Sequence, residues 1–284
     1  MKIASDVAGL RAALKRYRAE GKSVGLVPTM GAFHAGHLAL MRTSAQEMDR
    51  TVTSLFVNPI QFGPAEDLAR YPRCPESDAR QAAEAGVDLL FTPGAAEMYP
   101  PGFRSRVEVA GLSDRLCGIY RPGHFSGVAT VVLKLLNLVQ PDRAYFGWKD
   151  AQQLLIIKRL VRDLNLPVEI VGMATVREKD GLALSSRNRY LEPAERRAAP
   201  RLYQVLREIA DRLAGHPETA IEPVLAGARR RLEKSALIRL QYLEAVDPET
   251  LDPAGDESRE VLVALAAWIG STRLIDNIMV SRHG

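Results

Sequence analysis

Cysteine is nearly absent from this sequence: Cys74 and Cys117 are the only two in 284 residues. They stand far apart in no CxxC or Cys/His pattern, so neither a zinc site nor a disulfide framework is indicated, and a reducing compartment is the natural reading. Long apolar runs are missing too. The longest, "VLVALAAWIG" at 261–270, is about half of what a membrane span needs. The N-terminal "MKIASDVAGL" holds no continuous apolar stretch of signal-peptide length. The expectation is a cytoplasmic protein with no membrane partner. GxGxxG does not occur, so a dinucleotide cofactor has no fingerprint here. "EGKS" at 20–23 is no P-loop, because Arg16 occupies the place where the first Gly is required.

What is present describes an ordinary globular chain, with 46% hydrophobic and 25% charged residues and enough length for one large domain or two unequal ones. The net charge of +4 and pI near 9.1 come from basic residues scattered among 34 acidic ones. Small anionic ligands fit that distribution better than nucleic acid does.

The apolar spacing sets out an alternating order. Ser5 is the expected cap of a first helix bearing Val7, Leu10, Leu14 and Tyr17, and Gly21 stands where it would stop. The strand "SVGLVPT" follows, then a helix with Leu38, Met41, Ala45 and Met48 on one face, then the buried strand "TVTSLFV". The order continues through a helix at 77–86, strand "VDLLFTP", a short strand "RVEVA", an apolar helix at 127–139, strand "RAYFG", a helix at 150–164 and strand "VEIVGM". This predicts an α/β fold with a Rossmann-like, mostly parallel sheet and helices on both faces. Beyond about 176 the texture changes to two amphipathic helices near 193–214 and 218–234, then "IRLQYLEAV", "EVLVALAAWI" and "TRLIDNIMV". The expectation is a nucleotide- and substrate-binding domain at 1–175 and a smaller α+β C-terminal domain at 176–284.

The chemistry is expected where strand ends meet helix starts, since free N–H groups and the helix dipole favour anions there. In "TMGAFHAGHLAL" at 29–40, His34 and His37 are three apart at a first helical turn, and Gly31 and Gly36 let backbone approach closely. Both imidazoles can face one phosphate and stabilise charge growing on the α-phosphate of ATP; surface or capping histidines are the alternative, and their protonation states stay open. In "FVNPIQF", Asn58, Pro59 and Gln61 close a strand, and Gln61 could orient a small hydroxylated or carboxylated substrate. "RPGHFSGVATVV" offers Arg121 and His124 as anion contacts or cap chemistry. "FGWKDAQQ" places Lys149, suited to phosphate, and Asp150, suited to a ribose hydroxyl or ammonium, before Gln153. "KDGLALSSRN" supplies Ser185, Ser186 and Arg187 for a triphosphate tail at a hinge.

In order and spacing, these five stretches resemble the successive signatures of the pantothenate synthetase (pantoate–β-alanine ligase) family, and the resemblance runs on to "RLIDNIMV" near the C-terminus. It implies condensation of pantoate with β-alanine on the way to coenzyme A, using ATP with Mg2+ held chiefly by the ATP phosphates, through a pantoyl-adenylate, in a homodimer. By resemblance, Met30, Gly31, Ala32, Phe33, His34, Ala35, Gly36 and His37 form an ATP-binding turn, with His37 the proton donor and His34 its companion. Gly147, Trp148, Lys149 and Asp150 would contact ATP, as would Val176, Leu184, Ser185, Ser186 and Arg187. Lys149, the two serines and Arg187 would also serve catalysis. Gln61 and Gln153 would hold pantoate, Gln61 would border the β-alanine site, and Pro28, Phe62, Val131 and Val132 would embrace the geminal methyls. Cys117 stands where some relatives carry Glu and takes no role. Two rival readings remain at this stage: another HxGH nucleotidyltransferase acting on a phosphorylated substrate, and a nucleotide-sensing or RNA-binding protein.

Overall fold

The computed structural model describes residues 1–64 and 66–282. A short strand β1 (Lys2–Ala4) leads into α1 (Val7–Ala19). Its N-cap is Asp6, whose carboxylate accepts from the Gly9 N–H at 2.6 Å, rather than the expected Ser5. Then come β2 (Val24–Thr29), α2 (Ala35–Glu47), β3 (Arg50–Leu55), α3 (Pro75–Glu84) and β4 (Leu89–Phe91). After two short helices, α4 (Ala95–Met98) and α5 (Cys117–Tyr120), the long apolar α6 (His124–Val139) carries the chain across the sheet to β5 (Arg143–Gly147), α7 (Ala151–Asp163) and β6 (Glu169–Met173).

All pairings in this sheet are parallel, in the order β1-β4-β3-β2-β5-β6. The chain winds outward from β2 through β3 and β4, then returns through α6 to lay β5 on the other side of β2. The winding direction therefore reverses between β2 and β5, and the crevice outside their carboxyl ends is the ligand position of a doubly wound sheet. β2 and β3 are buried over most of their length, as the near-continuous apolar strands of a parallel sheet must be when helices cover both faces.

Two local expectations fail for identifiable reasons. "RVEVA" forms no strand: it lies against α6, where the Val107 N–H donates to Thr130 Oγ1 at 3.0 Å and Val109 enters the core. Its apolar alternation reflects contact with a helix, not a ladder. The helix expected over 193–214 is divided into α8 (Pro193–Ala198) and α9 (Arg201–Gly215), because Pro200 has no N–H to continue the first and serves as N-cap of the second.

With α10 (Ile221–Glu233) and the antiparallel meander β7 (Ile238–Val246), β8 (Glu260–Ile269) and β9 (Thr272–Ser281), α9 closes a separate apolar core around Leu206, Ile209, Leu225, Val263 and Ile269. The other face of this small sheet, with Tyr242, Leu262, Ala264 and Ala266, joins the core of the parallel-sheet unit. Among the described residues no helix is long and apolar enough to cross a membrane.

Candidate active site

β2 ends at Thr29, and the chain turns through two left-handed residues, Gly31 (φ 89°) and Ala32 (φ 52°). A non-glycine residue is strained in that region. What holds the turn is Asp78 on α3, a buried carboxylate that accepts from the Ala32 and Phe33 N–H groups, each at 2.8 Å. The chain then enters α2 with His34 as N-cap. His34 Nδ1 accepts from the Gly36 N–H at 3.2 Å, and His37 Nδ1 accepts from the His34 N–H at 3.4 Å. Gly36 leaves room for the His34 ring, since a Cβ would lie 3.0 Å from it, closer than ordinary contact. The two rings are 4.0 Å apart between centroids. Because each Nδ1 accepts a backbone proton, the proton of each neutral ring belongs on Nε2. Burial, with Lys149 as second cause, lowers the His34 pKa to about 4; burial and the adjacent His34 lower that of His37 to about 3. Both imidazoles are therefore neutral donors at physiological pH.

β3 delivers the second group. The 3-10 turn Pro59–Gln61 buries Gln61, whose Oε1 accepts from Asn58 Nδ2 at 2.9 Å, while Asn58 Oδ1 accepts from the Tyr99 hydroxyl at 2.7 Å. Among the described residues the Gln61 Nε2 bonds only the Met30 thioether, at 3.2 Å, a weak acceptor that leaves its N–H groups for a ligand. Behind this turn, α6 presents Gly127: a Cβ there would stand 2.5 Å from the Ile60 carbonyl oxygen and 2.7 Å from Gln61 Cα. His124 sits alongside, its Nδ1 2.8 Å from the Gln61 carbonyl oxygen and its Nε2 2.9 Å from Arg121 Nη1. Arg121 in turn pairs bidentately with Glu66 at 2.6 and 2.7 Å. Burial and the Arg121 charge lower the His124 pKa to about 4, so Nδ1 donates and Nε2 accepts. The Arg121 and His124 motif thus braces Gln61 from below.

β5 delivers the third. Gly147 opens the 3-10 turn Trp148–Asp150, in which Lys149 Nζ lies 3.5 Å from Asp150 Oδ1. Enclosure raises the Asp150 carboxyl, and Lys149, with help from Arg187, more than offsets it, holding the pKa below its ordinary value. Opposite runs a small hairpin, with the Leu184 N–H donating to the Val176 carbonyl at 3.0 Å and a bridge between Arg177 and Ala183. It leads to Ser185, Ser186 and Arg187. Arg187 is held bidentately by Asp67 at 2.9 and 3.1 Å, so in this structure its fork is engaged across the crevice.

These three groups converge on one pocket of about 240 Å³, lined by Met30, His34, Gly36, His37, Gln61, Gly147, Lys149, Asp150, Gln153, Val176, Leu184, Ser185, Ser186 and Arg187. Pro28, Phe62, Val131 and Val132 supply apolar wall. Five expected contact residues are not on that wall. Gly31 and Ala32 form the turn behind it, Phe33 packs into the core, Ala35 points to solvent, and Trp148 lies under the Lys158 ammonium, 5.5 Å from its ring. Through Arg121, His124, Lys149, Asp150, Gln153, Ser185 and Arg187 the pocket opens into a larger cavity of about 790 Å³ facing the small sheet. Cys117 is buried on that second cavity's wall, its Sγ 3.1 Å from the Tyr242 hydroxyl.

Sequence reading missed Asp78 and Ser54. Asp78 interrupts an Ala-rich helix on its buried face, which was the available signal. Ser54 near the carboxyl end of β3 lines the pocket with a buried hydroxyl that finds no partner among the described residues. Among them there is also no group of three or more His, Cys, Asp or Glu able to hold a metal ion.

A reversal crevice in a doubly wound sheet, with neutral histidine donors at a helix N-terminus and a lysine and two serines across the gap, defines a protein of the nucleotide-binding α/β class that works on phosphates. Comparison narrows the class. The chain belongs to the pantoate-beta-alanine ligase family, whose sequence model matches residues 2–279. It is 53% identical over 282 residues to the pantothenate synthetase of Pseudomonas paraeruginosa and 51% identical over 285 residues to that of Moorella thermoacetica, covering 99% of both chains in each case. The crystal structure of Thermus thermophilus pantothenate synthetase superimposes with a TM-score of 0.92 at 51% identity, covering 98% of this chain and 99% of that one. A Francisella tularensis pantoate-beta-alanine ligase, complexed with beta-gamma ATP and beta-alanine, gives 0.81 at 34% identity, covering 98% and 97%.

Proposed function

We propose that this protein condenses pantoate with β-alanine at the expense of ATP, releasing AMP and diphosphate through a pantoyl-adenylate. The observation that carries the residue assignment is the pair of neutral imidazoles, both with Nε2–H, in one pocket with Gln61, Lys149 and the serines. A pantoate carboxylate oxygen attacks the α-phosphorus, an O–P bond forms, and the bond to the β-phosphate oxygen breaks as diphosphate leaves. His34 and His37 donate hydrogen bonds to oxygens of the α-phosphate as charge builds there, with His37 as the proton donor and His34 its companion. Lys149 balances charge on the phosphates as a compact cation, and Ser185, Ser186 and Arg187 hold the tail.

The mixed anhydride then has AMP as a good leaving group. The β-alanine amine attacks the acyl carbon, loses a proton and expels AMP. Gln61 and Gln153 hold pantoate by their amides, with Gln61 also beside the amine's approach and Val131 and Val132 against the methyls. Closure of the crevice over the bound anhydride would protect it from hydrolysis. Mg2+ enters with ATP as part of the substrate, held chiefly by the ATP phosphates.

On this reading residues 1–175 bind nucleotide and pantoate, and residues 176–284 close over them. Met30, His34, Gly36, His37, Gly147, Lys149, Asp150, Val176 and Leu184 line the ATP side, while Gly31, Ala32, Phe33, Ala35 and Trp148 act from behind as scaffold. The working form is a homodimer in the cytoplasm. The alternative of a nucleotidyltransferase for a phosphorylated substrate is not favoured, since family likeness covers both halves of the chain. The deciding assay is exchange of labelled diphosphate into ATP with pantoate present and β-alanine absent. Pantoate-dependent exchange is expected, and AMP formation that ignores pantoate would remove the reading.

A further inference from the structure

The C-terminal stretch "RLIDNIMV" places Asp276 and Asn277 side by side on β9, in the small sheet, yet both residues reach out of it. Asn277 is buried, and its amide Nδ2 donates to two carbonyl oxygens in the other unit, those of Trp148 at 2.9 Å and Lys149 at 3.0 Å. Asp276 accepts from Arg177 at 2.6 and 2.9 Å, and its Oδ1 also accepts the Asn277 N–H at 2.8 Å. Arg177 belongs to the hairpin that carries Val176 and Leu184, donates to the Gly181 carbonyl at 3.2 Å, and lies with its guanidinium 3.5 Å over the Tyr203 ring. One dipeptide therefore bonds the 148–149 backbone directly and the facing hairpin through the Arg177 side chain, the two segments that bring charged and hydroxyl groups to the nucleotide side of the pocket.

We infer that Asn277 is a positioning residue for ATP: by bonding the Trp148 and Lys149 carbonyls it fixes the turn that aims Lys149 and Asp150, while Asp276 fixes the facing hairpin through Arg177. The chemistry of the site demands an amide. Two carbonyl oxygens converge on one nitrogen, which has a hydrogen for each, and no other uncharged side chain of this size offers that. A carboxylate at the same place would set an acceptor against two acceptors. Asn277 lines the larger cavity and not the pocket of the paired histidines, so its effect on nucleotide would pass through the 148–149 backbone. The inference rests on the reading above that Lys149 and Asp150 contact ATP.

The test compares Asn277→Asp and Asn277→Ala with the natural protein in steady-state condensation, measuring the KM for ATP and for pantoate separately, together with the binding of a non-hydrolysable ATP analogue and the melting midpoint. For Asn277→Asp the ATP KM and the analogue's Kd rise about tenfold or more while the pantoate KM stays within about twofold, as loss of two hydrogen bonds at one turn predicts. Asn277→Ala shifts the same two quantities by a smaller factor. A residue that merely stabilises the fold would lower the active fraction and leave both KM values unchanged. That result, or a rise in both together, overturns the inference. If Asn277→Asp does not fold, the Asn277→Ala comparison decides. Failure of the wider reading is separately visible, because the natural protein would then show no pantoate-dependent turnover of ATP.

Discussion

A solvent-exposed imidazole titrates near neutrality, and His34 and His37 do not. Enclosure is the first cause for both, with Lys149 adding to the shift of His34, to about 4, and His34 adding to that of His37, to about 3, and His124 joins them at about 4. Above about pH 6.5 the folded and unfolded chains both hold these rings neutral. Below it the unfolded chain binds protons that the folded chain refuses, so stability falls as pH drops toward the folded values. The melting midpoint should hold level from pH 7.5 to about 6.5 and decline below that, and a profile that stays flat down to about pH 5 would contradict the neutral rings. His37→Ala should cut the pantoate-dependent exchange rate at least about a hundredfold with an unchanged fold by circular dichroism; near-normal exchange would free His37 from that role. For Gln61→Ala the KM for pantoate should rise more than that for ATP, because Gln61 Nε2 meets only a weak thioether acceptor among the described residues. The histidine pair was legible in the sequence because its partners are two and three residues away. Asp78 and Asn277 were not, since their partners lie across the fold, 45 and 46 residues away in one case and 128 and 129 in the other.

At the scale of elements, α2 and α3 work as a unit. α2 supplies the imidazoles, and α3 supplies the carboxylate that keeps the preceding turn in its left-handed shape. Asp78→Ala would orphan two buried N–H groups, at a cost of about 1–3 kcal/mol for each, which denaturant unfolding can read. The same change should lower kcat along with stability, since the turn aims His34. Asp78→Asn keeps one acceptor oxygen and should fall between the two. The parallel order of strands and helices could be read from periodicity because each helix buries one face and each central strand two. "RVEVA" misled because a segment lying on a helix also alternates, and the break at Pro200 was masked by apolar residues continuing in helical register on both sides of it.

For the whole molecule, the decisive fact is that the core does not stop at residue 176. Tyr242, Leu262, Ala264 and Ala266 of the small sheet share one apolar cluster with Leu26, Val128 and Phe146. Arg177–Asp276 and Arg187–Asp67 join the linker to each side. Calorimetry should therefore show a single unfolding transition, while a separate 176–284 fragment should self-associate through its uncovered sheet face. Two resolved transitions would mean that the units fold independently. Composition alone placed the change of texture near 176, but it gave no sign that the second sheet has two buried faces.

Gly127 carries a consequence for how selectivity could evolve in this scaffold. The depth of the chamber around Gln61 is set from the rear, by a missing side chain at a position of α6 that does not itself line the pocket. Lengthening that residue by a single methyl group would drive the Ile60–Gln61 backbone forward and shrink the room for an acid with a branched carbon. Discrimination between larger and smaller acids can thus be retuned without altering any residue that meets the substrate.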